Sequence, residues 1–115
     1  MTTIYHNPRC RKSRDGVAIL ENMNIPFKTR LYLDEPLSKV ELVSLLSLLK
    51  LPAKELLRTQ EAVYKQTYKG KELTEEEAIE AMVLHPKLIE RPIVVNGKNA
   101  VIGRPPENIH ALFDQ

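Results

Sequence analysis

A single cysteine, Cys10, is the only thiol in this 115-residue chain. The chain therefore cannot form an internal disulfide, and a redox cycle through Cys10 needs a thiol from outside. His6, His85 and His110 lie far apart, and no Cys/His cluster has ligand spacing, so no metal site is expected. Charge of one sign is also missing. Seventeen Lys and Arg stand against fifteen Asp and Glu. A net charge of +2 is too small to argue for a nucleic-acid partner. Long hydrophobic runs are absent: no segment reads as a bilayer span, and none has the apolar core of an export signal. One cysteine without an export signal points to a reducing, cytoplasmic setting, with no membrane partner. No repeat or low-complexity tract interrupts the chain.

Apolar residues make up 43% of the sequence and charged residues 28%, values of an ordinary globular chain. This length is expected to form one domain, residues 1–115, with a core that needs no staples.

The chemistry concentrates at His6-Asn7-Pro8-Arg9-Cys10-Arg11-Lys12-Ser13-Arg14. Thr2 to Tyr5 before it reads as a strand. After it, Gly16, Ile19, Leu20 and Met23 recur at helical spacing. Cys10 is thus expected at a helix N-terminus, where unpaired N–H groups and the macrodipole favour negative charge. A free cysteine is only a few per cent thiolate at neutral pH. A helix end supplies ~0.3–1 kcal/mol towards the anion, so loop amides and nearby cations must add the rest. The alternative is a buried structural cysteine. The polar loop and the basic neighbours favour a reactive thiol.

Asn24-Ile25-Pro26 ends the first helix, and Phe27 to Leu33 alternates as a second strand with Phe27, Leu31 and Leu33 on one face. Strand, helix and strand suggest a parallel βαβ unit. Gly16 inside the helix implies close packing on the sheet. Ser38 and Thr74 each open a capping box, with Glu41 and Glu77 three residues on. Short helices are expected after Pro52 and from Glu61 to Tyr68. From Arg91-Pro92, a strand Ile93-Val94-Val95, the turn Asn96-Gly97 and a returning strand Ala100-Val101-Ile102 form a hairpin. A C-terminal helix follows, its apolar side Ile109, Leu112 and Phe113. The order is an α/β fold, β-α-β then β-β-α, giving a thioredoxin-like mixed four-stranded sheet with a helical insertion at about 38–85.

The motifs His6-Asn7-Pro8-x-Cys10-x-x-Ser13, Leu57-Arg58, His85-Pro86, Arg91-Pro92-Ile93-Val94-Val95 and Gly103-Arg104-Pro105 span nearly the whole chain. In this order they resemble the glutathione/glutaredoxin-coupled arsenate reductase family, of ArsC type. The resemblance implies that Cys10 is the nucleophile on arsenic and that His6 supports it. It implies that Arg58, Arg91 and Arg104 hold the oxyanion, that Ser13 and Pro92 are supporting residues, and that Pro92 is cis. Arginine suits this task because its planar fork binds two oxygens at once. Taken alone, Arg58 reads as an ordinary surface arginine. The implied reaction reduces arsenate to arsenite, with glutathione as co-substrate, glutaredoxin as partner and no bound cofactor. Arg11-Lys12 stands where the arsenate-resistance reductases carry small residues, and the chain is short at its C-terminus. It resembles the small housekeeping branch more closely. Two other readings use the same fold: an Spx-like regulator that binds RNA polymerase, and a thiol-bearing oxyanion-binding module without turnover. Ser13 speaks against the first, because Spx-type loops usually carry Cys-x-x-Cys.

Overall fold

A computed structural model describes residues 1–113. The chain forms two compact units, one of Met1–Glu35 with the segment from Arg91 onward, the other of Pro36–Glu90.

The first unit is a four-stranded sheet with helical cover. Its strands are β1 (Thr2–Tyr5), β2 (Lys28–Arg30), β3 (Ile93–Asn96) and β4 (Asn99–Ile102), in spatial order β2-β1-β3-β4. β1 runs parallel to β2 and antiparallel to β3, and β3 and β4 form the antiparallel hairpin. This is the mixed thioredoxin-like sheet expected from the element order. Helix α1 (Arg11–Asn22) makes the crossover between β1 and β2. Ile4 and Val94 face each other across β1 and β3, and both are fully buried. With Leu20, Ile109 and Leu112 they form the core of this unit.

The inward stripe of α1 is Ser13, Gly16 and Leu20. A Cβ on Gly16 would lie 2.9 Å from Pro92 Cγ, 3.2 Å from Ile109 Cδ1 and 3.4 Å from Ile4 Cδ1. Close packing is therefore the reason for this glycine, as its place in the pattern suggested. Gly103 meets the same Pro92 and Ile109 atoms from β4's end, at 3.0 and 3.1 Å. Gly16→Ala sets a helix-propensity gain of about 1 kcal/mol against overpacking that costs ~1–3 kcal/mol. The Pro92 ring is stiff and buried, so it cannot give way. A net loss of stability is expected by urea unfolding, and an unchanged or higher midpoint would show that the contact yields.

Three expectations need correction. The second strand covers only Lys28–Arg30. β1 ends at Tyr5 opposite Arg30, so nothing is left to pair with residues beyond it. The Leu31 carbonyl instead accepts from Asp34 and Glu35 N–H in a turn, and Tyr32, not Leu31 or Leu33, is the side chain buried there. The hairpin turns at Gly97-Lys98, since Asn96 still pairs with Asn99. Gly97 takes φ +63° at the first central position. The C-terminal element is a 3-10 helix, Pro106–Leu112. It buries Pro106, Ile109 and Leu112, a spacing of three that matches three residues per turn.

The second unit is helical: α2 (Lys39–Leu49), α3 (Ala53–Leu56), α4 (Ala62–Thr67), α5 (Glu75–Leu84) and a 3-10 turn at Pro86–Leu88. Ser38 and Thr74 cap α2 and α5, each in a complete capping box. Leu42, Leu45, Leu46 and Leu49 form the buried stripe of α2, packed with Ala78, Ile79 and Met82 of α5 in this unit's core. Glu75 at the start of α5 accepts from the Ala53 N–H and so ties down α3. Among the described residues no helix is long and apolar enough to cross a membrane.

Candidate active site

The loop after β1 is built by its own short-range hydrogen bonds. The His6 N–H donates to the Arg30 carbonyl at 2.9 Å, which extends the parallel ladder by one step. The chain then reverses: Cys10 N–H donates to the Asn7 carbonyl at 3.0 Å, and Arg9 N–H to Asn7 Oδ1 at 3.0 Å. An asparagine that folds its own side chain back on the backbone is a standard turn device. Arg14 N–H donates to the Cys10 carbonyl and opens α1. The Arg14 guanidinium reaches back to the Pro8 carbonyl at 2.8 Å and braces the loop.

Cys10 is the N-cap residue of α1, with φ −97° and ψ 123°. It is partly exposed, and its side chain makes no capping hydrogen bond. This end of α1 differs from those of α2 and α5. Those have a hydroxyl cap and acids in the first turn. α1 has no hydroxyl cap and no first-turn acid, and exposed Arg11 and Lys12 stand there instead. Basic side chains at the positive end of a helix oppose the macrodipole, so this arrangement costs stability and leaves positive charge at the helix end that carries Cys10.

Behind the loop lies a polar cluster. Ser13 is fully buried. Its Oγ accepts from the Asn7 N–H at 2.9 Å and lies 2.6 Å from His6 Nδ1. Burial holds the His6 pKa below the ordinary imidazole value, and the Arg14 cation adds to this. His6 is therefore favoured as a neutral ring, and the unfolded chain binds its proton more readily than the folded one. The stability this group contributes is complete above the unfolded value of ~6.5. It is lost as pH falls from there through the folded value. Urea midpoints measured across pH 7 to 4.5 should fall more steeply for the native chain than for His6→Gln. Parallel curves would remove His6 from the acid response.

Topology brings two of the three expected arginines to the same end of the sheet. Tyr5 pairs with Ile93, so the loop carrying His6 leaves β1 where β3 begins. Arg91 and Pro92 lead into that strand, and Gly103 and Arg104 follow the end of β4. The Gly103 N–H donates to the Pro92 carbonyl at 2.8 Å and closes this end of the hairpin. Arg91-Pro92 is cis, as the resemblance implied, and Arg104-Pro105 is a second cis bond that the sequence reading missed. Arg91 Nε is buried and makes no hydrogen bond. Arg104 is partly buried, and its carbonyl accepts from Asn108 Nδ2.

Arg58 belongs to the helical unit. Its Nε donates to Glu90 Oε1 at 3.0 Å and its Nη1 to Glu61 Oε2 at 2.6 Å. The Arg58 N–H donates to the Leu88 carbonyl at 2.7 Å. These bonds give Arg58 a role in holding its own unit together. The polar cluster behind the loop could have been found from the pattern. Extending the Gly16 and Leu20 stripe back by three residues lands on Ser13, a hydroxyl in a core position.

The sequence profile of the ArsC family matches residues 5–112. An arsenate reductase of Haemophilus influenzae is 43% identical over 108 residues, covering 92% of this chain and 93% of that one. An arsenate reductase of Escherichia coli is 36% identical over 106 residues, covering 91% of this chain but 75% of the longer enzyme. Among solved structures, the arsenate reductase from Vibrio cholerae superposes with a TM-score of 0.91 at 42% identity. It covers 96% of this chain and 95% of its own.

Proposed function

The chain belongs to the ArsC family, and on that premise we propose that it is a monothiol oxidoreductase that reduces arsenate to arsenite. The observation that carries this reading is Cys10 itself. It is the chain's only thiol, at a helix N-terminus, with a side chain that capping does not occupy. The Cys10 sulfur attacks arsenic, a sulfur–arsenic bond forms, and an arsenate oxygen leaves as water. A glutathione thiolate then attacks the Cys10 sulfur. The sulfur–arsenic pair passes to arsenic, which leaves as arsenite reduced by two electrons. Cys10 and glutathione remain joined as a mixed disulfide. No second cysteine is present to resolve it, so glutaredoxin takes the glutathione and frees Cys10.

Arg91 and Arg104 hold the oxyanion in this proposal. The buried, unpaired Nε of Arg91 supports that role, because an unsatisfied guanidinium donor gains most from an anion that completes it. The family resemblance implies the same role for Arg58. The test is steady-state reduction of arsenate with glutathione and glutaredoxin, each omitted in turn. Turnover that needs both thiols supports the proposal. Oxyanion binding without any glutathione-dependent product would leave only a binding module.

A further inference from the structure

We infer that Ser13 is a positioning residue that holds His6 as a neutral imidazole with its proton on Nε2. The functional meaning of this inference rests on the proposed active site, but its geometry does not. A serine hydroxyl has one proton to donate and two lone pairs to accept with. The Asn7 N–H occupies one lone pair of Ser13 Oγ at 2.9 Å. His6 Nδ1 lies 2.6 Å from the same oxygen, so one proton lies between them.

That proton can belong to either partner, and the surroundings decide which. If His6 Nδ1 carried it, Ser13 Oγ would accept twice and its own proton would need a third group. Ser13 is fully buried, and among the described residues its side chain has no other hydrogen-bond partner. A donor would then be left buried and unsatisfied, the costly outcome for a polar group. If Ser13 donates to Nδ1, the hydroxyl proton is used, one lone pair accepts from the Asn7 N–H, and the imidazole proton must sit on Nε2. A doubly protonated His6 meets the same obstacle, because its Nδ1–H would displace the hydroxyl proton.

The charges around the ring agree. Arg14 on α1 is the cation that acts on His6, and it is held over the loop by the Pro8 carbonyl. From β2 the contact is the Arg30 backbone carbonyl, which accepts the His6 N–H. Burial also disfavours the charged ring. His6 therefore offers the site an Nε2–H hydrogen-bond donor, not a resident cation. The full positive charges on this loop and first turn are those of Arg9, Arg11, Lys12 and Arg14.

Long-range proton–nitrogen NMR of the full-length chain at neutral pH reads the tautomer directly, without substrate. His6 Nδ1 is expected to resonate as an unprotonated, pyridine-type nitrogen and Nε2 as a protonated one. In Ser13→Ala the two tautomers should mix, and the His6 titration should move up towards the ordinary value. The kcat/KM of this variant should fall roughly threefold to tenfold, the worth of one neutral hydrogen bond. Ser13→Thr keeps the hydroxyl and should keep the native tautomer. A native spectrum with Nδ1 protonated overturns the inference even if no variant folds. So does a folded Ser13→Ala with unchanged tautomer and titration. Failure to turn over arsenate would instead sink the proposed function and leave the tautomer result standing.

Discussion

Cys10→Ser should abolish arsenate reduction and leave the fold intact. Activity is expected to fall to background, because the proposed reaction runs through the chain's only thiol. Serine nearly matches cysteine in size, and its hydroxyl is a good N-cap. Cys10 makes no capping bond as it stands, so the urea midpoint should hold or rise slightly. The combination matters more than either result alone. Lost activity with lost structure would say nothing about chemistry, whereas lost activity in a chain at least as stable identifies the sulfur as the working group. Retention of substantial glutathione-dependent turnover would remove Cys10 from the mechanism.

Arg91→Ala should cost about tenfold to a hundredfold in kcat/KM, since a hydrogen bond to a charged group is worth roughly 1.5–3 kcal/mol. Arg91→Lys should recover only part of this, because lysine keeps the charge but loses the planar fork. Removing Nε breaks no hydrogen bond in the folded chain, so the stability lost is only that of the packed side-chain stem. Arg58 is the instructive contrast. Its guanidinium pairs two carboxylates, with the arginine side chain 17% exposed. Arg58→Ala should therefore lower stability by about 1–3 kcal/mol as Glu61 and Glu90 lose their common partner. Activity and urea midpoints measured on the same preparations separate the roles. Loss of turnover in Arg58→Lys at native stability would assign it to the oxyanion as well. Native kinetics in both Arg91 variants would remove Arg91 from the proposed oxyanion site.

The helices and the hairpin were legible because their signals are local. A capping box needs only Ser38 and Glu41, or Thr74 and Glu77, within one turn of chain. The placement of Cys10 at the start of α1 follows from a strand, a turn and a periodic run in succession. The same locality explains the misjudged ends. Alternation carried the second strand to Leu33, but a strand lasts only as long as its neighbour, and β1 stops at Tyr5. A helical apolar side was expected at the C-terminus, where burial at a strict interval of three produces a 3-10 helix.

The site divides in the same way. Sequence order alone determined that one thiol stands among basic residues, that the chain carries no second thiol, and that Gly16 must meet something closely. Only the tertiary structure decided what Gly16 meets, which is Pro92 from a segment some seventy-five residues away. Only the sheet register brought the loop carrying His6 and the segments of Arg91 and Arg104 to one end, through Tyr5 opposite Ile93 and Gly103 bonded to Pro92. The half-buried bond between His6 and Ser13 likewise needed the loop to fold back over the first turn of α1. Side chains distant along the chain meet because strand pairing and core packing fix them in space, and neither is written in any short window of sequence.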